Sequence, residues 1–212
     1  MRWPRLWATN STPCDSVQPR YFTIDAALDG RGQRGEARGA GRRVGQAGGG
    51  APNDSTFILR RLLERNMGNA AIGCIWDPIV VETATEVGEG VELEMRIGGK
   101  MGPMSGDQVD MRAASAKSPA TRPSVSATAP ITWVTPSRLH GPNGIDVVAI
   151  SHRSQTFSPE VFTNVGIDPL EKQILVVKST QHFYARFAPS LRRCSYVAGP
   201  RASSSTSASC RT

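Results

Sequence analysis

Residues 48–190 predict an α/β fold, a mixed sheet with flanking helices, set between irregular N-terminal and C-terminal segments. Three observations carry this expectation. Apolar, partly β-branched runs at Ala70–Trp76, Ile145–Ile150 and Ile174–Val177 have the length and content of buried strands. Segments with helical spacing alternate with them, which defines the α/β class. The texture of the chain also changes at Gly48: residues 30–47 are Gly and Arg alternating with Ala and Gln, too polar to offset their own ordering entropy.

Taken in order, residues 1–20 show no apolar periodicity, and Tyr21 to Leu28 has some helical character through Ile24, Ala27 and Leu28. The run Gly48-Gly49-Gly50-Ala51-Pro52-Asn53-Asp54-Ser55-Thr56 follows. Its three glycines let other groups approach the main chain, Pro52 stiffens the exit, and Asn53, Asp54 and Ser55 are good N-cap residues. A helix is expected from about Ser55 to Asn66, and the free N–H groups at its start would attract an anionic or oxyanionic group. Ala70 to Trp76 reads as a buried strand ended by Asp77-Pro78, and Ile79 to Val87 as a helix by context. Val91, Leu93, Met95 and Ile97 alternate with Glu92, Glu94 and Arg96, the pattern of a half-exposed strand. Gly98-Gly99-Lys100 then reads as a hairpin turn with a solvated lysine. Residues 113–130, rich in Ala, Ser, Pro and Thr, read as an insertion or poorly packed loop. Ile145 to Ile150 is a buried strand, Ser158-Pro159-Glu160 starts a short helix, and Ile174 to Val177 is another strand. Thr180 to Leu191 reads as a helix interrupted at Ala188-Pro189, and the Ser-rich stretch 203–212 as a mobile tail.

The 212 residues suit one domain or a little more, with 39% hydrophobic residues for a moderate core. The net charge of +7 invites a nucleic-acid reading, but its distribution opposes one. Residues 1–47 hold eight Arg against four acids, and residues 191–212 hold four Arg and no acid. The foldable middle is almost neutral, with 13 basic and 14 acidic side chains over 48–190. The basic ends lack the interleaved aromatics of a stacking platform, so no nucleic-acid partner is expected. No apolar run is long enough to cross a bilayer and no signal peptide is expected. The four cysteines form no CxxC pair, and Cys74 reads as a buried thiol of a reduced, cytoplasmic protein. His140, His152 and His182 are far apart in sequence, without an HExxH or paired-His helix, so no metal ligand is assigned. No GxSxG or GxxxxGK[ST] motif occurs.

Candidate binding residues cluster at predicted strand ends, where α/β sheets bind their ligands. Arg153, Gln155 and Thr156 follow the strand at 145–150 and suit a carboxylate or peptide carbonyl. Lys178, Ser179 and His182 follow the strand at 174–177. With Gly48, Gly49, Gly50 and Asp54 they compose one expected crevice.

Together these stretches resemble the C-terminal domain of the microcystinase C (MlrC) family of zinc metallopeptidases. The matching blocks are GGGAPNDST at 48–56, IGGKMGPMSG at 97–106, GIDVV at 144–148, RSQTFSPEVFTNVGIDP at 153–169 and VVKSTQHFYARFAP ending at Pro189. Their order and spacing cover 48–190, with a poorly matched insert near 113–143. The resemblance implies a domain of 48–190, an Arg/Gly-rich segment over 1–47 and a Ser-rich tail over 191–212. It also implies zinc-dependent peptide hydrolysis, to which this region would contribute one wall of the substrate cleft. Family members are about twice this length or more, and their His, Asp and Glu zinc ligands lie in a larger N-terminal domain with no match here. The resemblance therefore implies a chain inactive alone, with no zinc of its own, a peptide substrate, and a separately encoded N-terminal domain as partner. Asp54 and Lys178 are the positions to test first.

Three departures stand beside the match. Gly45-Gln46 occupy the place of the family's Asp-Asn before the glycines, Tyr184 stands where Arg is usual, and Ser190 to Ser195 replace an apolar strand. The biased composition of 30–47, 113–130 and 201–212 is what an out-of-frame reading of a GC-rich gene produces, which makes a truncated or frameshifted relative one expectation. Two others stay open: a stand-alone anion or small-molecule binding module, and a nonfunctional remnant.

Overall fold

The computed structural model describes residues 21–30, 38–42, 51–116, 124–126, 129–131, 136–179, 186–187 and 193–197. The three apolar runs form the middle of a mixed sheet: β3 (Ala70–Trp76), β9 (Asp146–Ile150) and β10 (Ile174–Val177). Every residue of β9 and β10 is buried, and β3 is buried up to Trp76. Strands covered on both faces need apolar side chains at every position, not at alternate ones. That is why they read as continuous runs.

The sheet has nine strands among the described residues. β1 (Tyr21–Phe22), β11 (Arg193–Val197), β2 (Arg38–Arg42), β10, β3 and β9 lie side by side in that order and run parallel. β8 (Pro136–His140), β5 (Val109–Ala116) and β4 (Glu92–Ile97) then extend the sheet antiparallel. A separate two-stranded ribbon joins β6 (Ser124–Ser126) to β7 (Ala129–Ile131).

Helices cover both faces. α1 (Ile24–Asp29), α2 (Phe57–Glu64) and α3 (Pro78–Val87) pack Leu28, Ile58, Leu59, Leu62, Val80, Val81 and Ala84 onto Ile72, Val147, Ala149, Ile174 and Val176. The alternate strand residues Ala71, Val148, Ile150, Leu175 and Val177 face the other way, onto Phe162 of α4 (Glu160–Thr163), Val165, Ile167 and Phe187. Phe162 meets Phe187 edge-on at 6.2 Å. It also sits on Gly73, where an added Cβ would lie 2.9 Å from the ring. The β-branched α3 holds because Asp77 caps it, Pro78 opens it, and the Thr83 and Thr85 hydroxyls donate to carbonyls one turn back.

Several expectations change. The segment 30–47, expected to be irregular, contains β2, which is hydrogen-bonded by β10 on one side and β11 on the other. Backbone pairing needs no apolar side chain, so Arg38-Gly39-Ala40-Gly41-Arg42 carries no strand pattern. β11 likewise lies inside the stretch expected to be a tail. β5 occupies the start of the presumed insertion at 113–130, with Val109, Met111, Ala113 and Ser115 inward. Its small Ala and Ser residues hide that alternation, and β8 has no counterpart among the expected strands. α2 starts at Phe57 instead of Ser55 and ends at Glu64. Gly98-Gly99-Lys100 is not a tight hairpin turn, because residues 98–108 separate β4 from β5 and include a 3-10 turn at Pro103–Ser105. Of the helix expected at Thr180–Leu191, only Arg186 and Phe187 are described, and both are helical. Among the described residues, no helix is long and apolar enough to cross a membrane.

Candidate functional site

Four chain segments converge past the C-terminal ends of β3, β9 and β10: the lead into α2 (53–56), Trp76-Asp77, residues 151–156, and Lys178-Ser179. They are held by direct bonds. Trp76 N donates to Asn53 O at 3.1 Å, Asn53 Nδ2 donates to Ser154 O at 2.7 Å, and Lys178 N donates to Gly73 O at 3.2 Å. The loop after β4 closes over the same corner, with Gly99 N donating to Asp54 O and Thr56 N to Ser105 O, each at 2.9 Å.

Two buried carboxylates shape this corner. Asp54 Oδ2 accepts from Lys100 N and Met101 N at 2.9 Å each, and Oδ1 accepts from the Ser105 hydroxyl. Asp77 Oδ2 accepts from Gly98 N at 2.9 Å, Oδ1 caps α3, and both oxygens receive Lys100 Nζ at 2.7–2.8 Å. Lys100 is therefore ion-paired with a buried partner and is not the solvated turn residue expected. The close approach needs glycine: at Gly98, with φ +57, a Cβ would collide with Asp54 O and lie 2.8 Å from the Thr56 methyl.

At the start of α2 the Thr56 N–H is taken by Ser105 O. Asn53, Asp54 and Ser55 precede the helix without capping it, and Thr56 at the cap position sends its hydroxyl to Asp107 O at 2.6 Å. Asn53 adopts φ +73, which asparagine tolerates. Its Oδ1 is buried with no hydrogen-bond partner among the described residues, as is Ser179 Oγ.

The candidate residues fall into three groups. Asp54, Thr156, Lys178 and Ser179 are buried. Lys178 is 2% exposed, and its Nζ donates to Asn53 O at 3.1 Å and Ser55 O at 2.9 Å, which ties the α2 lead to β10. Thr156 donates to Cys74 Sγ. Burial, only partly offset by Thr156 and Lys178, pushes the Cys74 thiol up to about 11, so it is protonated at neutral pH and no nucleophile. Arg153 is exposed and Gln155 half-buried. Arg153 stacks on Trp76, 4.4 Å from the ring centroid, and Trp76 Nε1 donates to Ser151 O at 3.0 Å. Gly48, Gly49, Gly50 and His182 lie outside the described residues.

Asn53, Trp76, Asp77 and Lys100 are not among the candidate binding residues that the sequence suggests. Asp77-Pro78 carries a legible helix-start signal, a capping acid before Pro, which the strand-end reading does not use. Also unforeseen is a charge cluster at the opposite end of β9. Asp146, fully buried, accepts from Arg138 through both oxygens, from Lys172 at 2.6 Å, and lies 2.8 Å from His140 Nδ1. Burial pushes its carboxyl up, but the hydrogen bonds from Arg138, Lys172 and His140 outweigh that and hold it below the usual range.

Zinc does not fit the described residues. Among them no group of three or more His, Cys, Asp and Glu is placed to hold a metal ion. The three buried aspartates at 54, 77 and 146 each have both oxygens engaged by N–H, hydroxyl or cationic donors.

A doubly covered, mostly parallel sheet with polar loops converging at its strand ends defines an open-sheet α/β domain, a class in which ligands generally meet the carboxyl ends of the strands. The family profile described as MlrC C-terminus matches residues 46–210, and the chain belongs to that family. The match runs past 190, the expected domain boundary, and takes in β11. Microcystinase C from Sphingomonas sp. is 29% identical over 165 residues, which cover 74% of this chain and 31% of that protein. A solved structure of a metallopeptidase-like protein from Mesorhizobium sp. BNC1 shares the fold, with a TM-score of 0.62 at 22% identity, over 86% of this chain and 37% of that one. The chain thus spans about a third of the length of each relative.

Proposed function

We propose that this domain forms one wall of the substrate cleft of a zinc-dependent peptide hydrolase and is inactive without polypeptide that supplies the metal. The observation that carries this reading is the convergence of the 53–56, 151–156 and 178–179 segments at the ends of adjacent strands in a chain of the MlrC family. When bound, zinc would supply an activated water. None of the described residues would hold it. What these residues do is bind and orient an extended peptide: Gln155 and Arg153 offer donors at the surface, while buried Lys178 and Asp54 keep the loops that carry them in place. The partner of this wall is a metal-bearing domain of the kind found in full-length relatives, encoded with it or separately, working in the cytoplasm.

The test uses the purified chain. Linear peptides are expected to raise its melting temperature without being cleaved, and dialysed protein is expected to hold far less than one zinc per chain. Chelator-sensitive peptide cleavage by the chain alone would overturn the proposal, as would stoichiometric zinc. The alternative, a stand-alone anion or small-molecule binding module, would use the same crevice, and in that case phosphate or a carboxylate ligand raises the melting temperature where linear peptides do not.

A further inference from the structure

Trp76 ends β3, and Arg153 lies three residues beyond β9, its neighbour in the sheet. The indole is held from two sides. Its Nε1 donates to Ser151 O at 3.0 Å, and its backbone N donates to Asn53 O at 3.1 Å. The ring therefore offers a fixed face, and the Arg153 guanidinium carbon lies 4.4 Å from its centroid. A guanidinium over a ring face is held by the cation–π attraction without using up its N–H donors, which can meet a carboxylate through two parallel bonds. Among the described residues Arg153 has no ion pair, whereas Arg61, Arg65, Arg96, Arg112 and Arg138 each have a carboxylate partner. Arg153 is thus a braced cation without an anion among the described residues, at the end of the sheet where α/β folds meet ligands.

We infer that Arg153, braced on Trp76, is a carboxylate-binding subsite that selects acidic peptides. This rests on the proposed cleft wall and adds its substrate class. Trp76 acts through Arg153 as a positioning residue. A peptide brings its carboxylate either at its C-terminus or on a Glu or Asp side chain.

The experiment measures affinity of the purified chain at low ionic strength for three tetrapeptides. All three are N-acetylated: the first is tetra-alanine with a free C-terminal carboxylate, and the second is tetra-alanine amide. The third is an amidated peptide of three alanines followed by a glutamate. At least one carboxylate-bearing peptide is expected to bind roughly tenfold tighter than the neutral amide, as a charge-assisted pair at an exposed site provides. Which one does so identifies the source of the carboxylate. Arg153→Met keeps the apolar stem and is expected to abolish the preference, bringing the acid-to-amide affinity ratio to about one. Arg153→Lys keeps the charge without the fork and retains only part of it. Trp76→Phe preserves a ring face and most of the preference, whereas Trp76→Leu reduces the acid-to-amide ratio, a quantity that mere loss of stability would leave unmoved. Equal wild-type affinity for all three peptides, or a preference that survives Arg153→Met, overturns the carboxylate subsite and leaves the cleft wall standing. A ratio unchanged in Trp76→Leu overturns the positioning role. No binding by any of the three overturns both the subsite and the wall.

Discussion

Asp54 shows how one side chain organises this corner. Its two carboxylate oxygens take three donors from residues 100–105, so the loop after β4 has its shape only while that carboxylate is present. Asp54→Ala strands the buried Ser105 hydroxyl and the part-buried Lys100 N and Met101 N, and each unmade bond is costly to the degree that water cannot reach it. The expected loss is about 3 kcal/mol in urea denaturation, with faster amide exchange at Lys100 and Met101. Asp146 makes a pH-dependent contribution at the other end of the sheet. Its folded pKa is below the ordinary value of 3.8, so the folded state favours the ionised form. That stability is complete above about pH 4, and it is lost as pH falls through the lowered folded pKa. Acid unfolding curves of Asp146→Asn should therefore lose steepness below pH 4 relative to wild type, and equal slopes would refute the role.

Among the elements, the strand ends and the loops that meet them decide the site. Gly98 is the point where the loop after β4 crosses the lead into α2. Gly98→Ala combines a φ of +57 with a Cβ driven into a backbone oxygen that cannot move alone. It should cost on the order of 2–3 kcal/mol and weaken peptide binding, read by calorimetry beside a urea melt. The second face of the sheet depends on α4, a single turn whose Phe162 is fully buried on Gly73 and against Phe187. Phe162→Ala should cost about 3–5 kcal/mol, measured by denaturant midpoint. Strand existence is legible where both faces are buried, as in β3, β9 and β10. It is not legible in β2 and β8, whose residues carry no periodic apolar signal, and in β5 the Ala and Ser residues of its second half mask the alternation that Val109 and Met111 begin. Partner strands hold those three through the main chain.

At the scale of the molecule, β2 makes the region before Gly48 part of the fold. It separates β10 from β11, so removing residues 1–47 leaves two strand edges with unpaired backbone groups. A chain of 48–212 should melt without a cooperative transition, whereas the full chain should melt cooperatively. Amides of Gly39 to Gly41 should resist hydrogen exchange nearly as well as those of β3. Exchange of these amides at unprotected rates would contradict the pairing and return the segment to the irregular state its composition suggests.

The amino-acid sequence by itself determined the α/β class, the three central strands, the helix around Leu59, the buried thiol and the membership of the MlrC C-terminal family, since each rests on local apolar periodicity or on blocks of contiguous residues. It also placed the candidate residues at strand ends. Only the tertiary structure decided which of them are exposed and which brace the loops. Lys178 has the sequence position of a ligand-facing cation and is buried on Asn53 and Ser55. Lys100 has the sequence position of a solvated turn residue and is paired with Asp77. Trp76, the last residue of a strand, supports Arg153 across a long stretch of intervening chain. Such roles depend on which main-chain oxygens, carboxylates and ring faces come within bonding distance once the strands pair, and that distance has no counterpart in the linear order of residues.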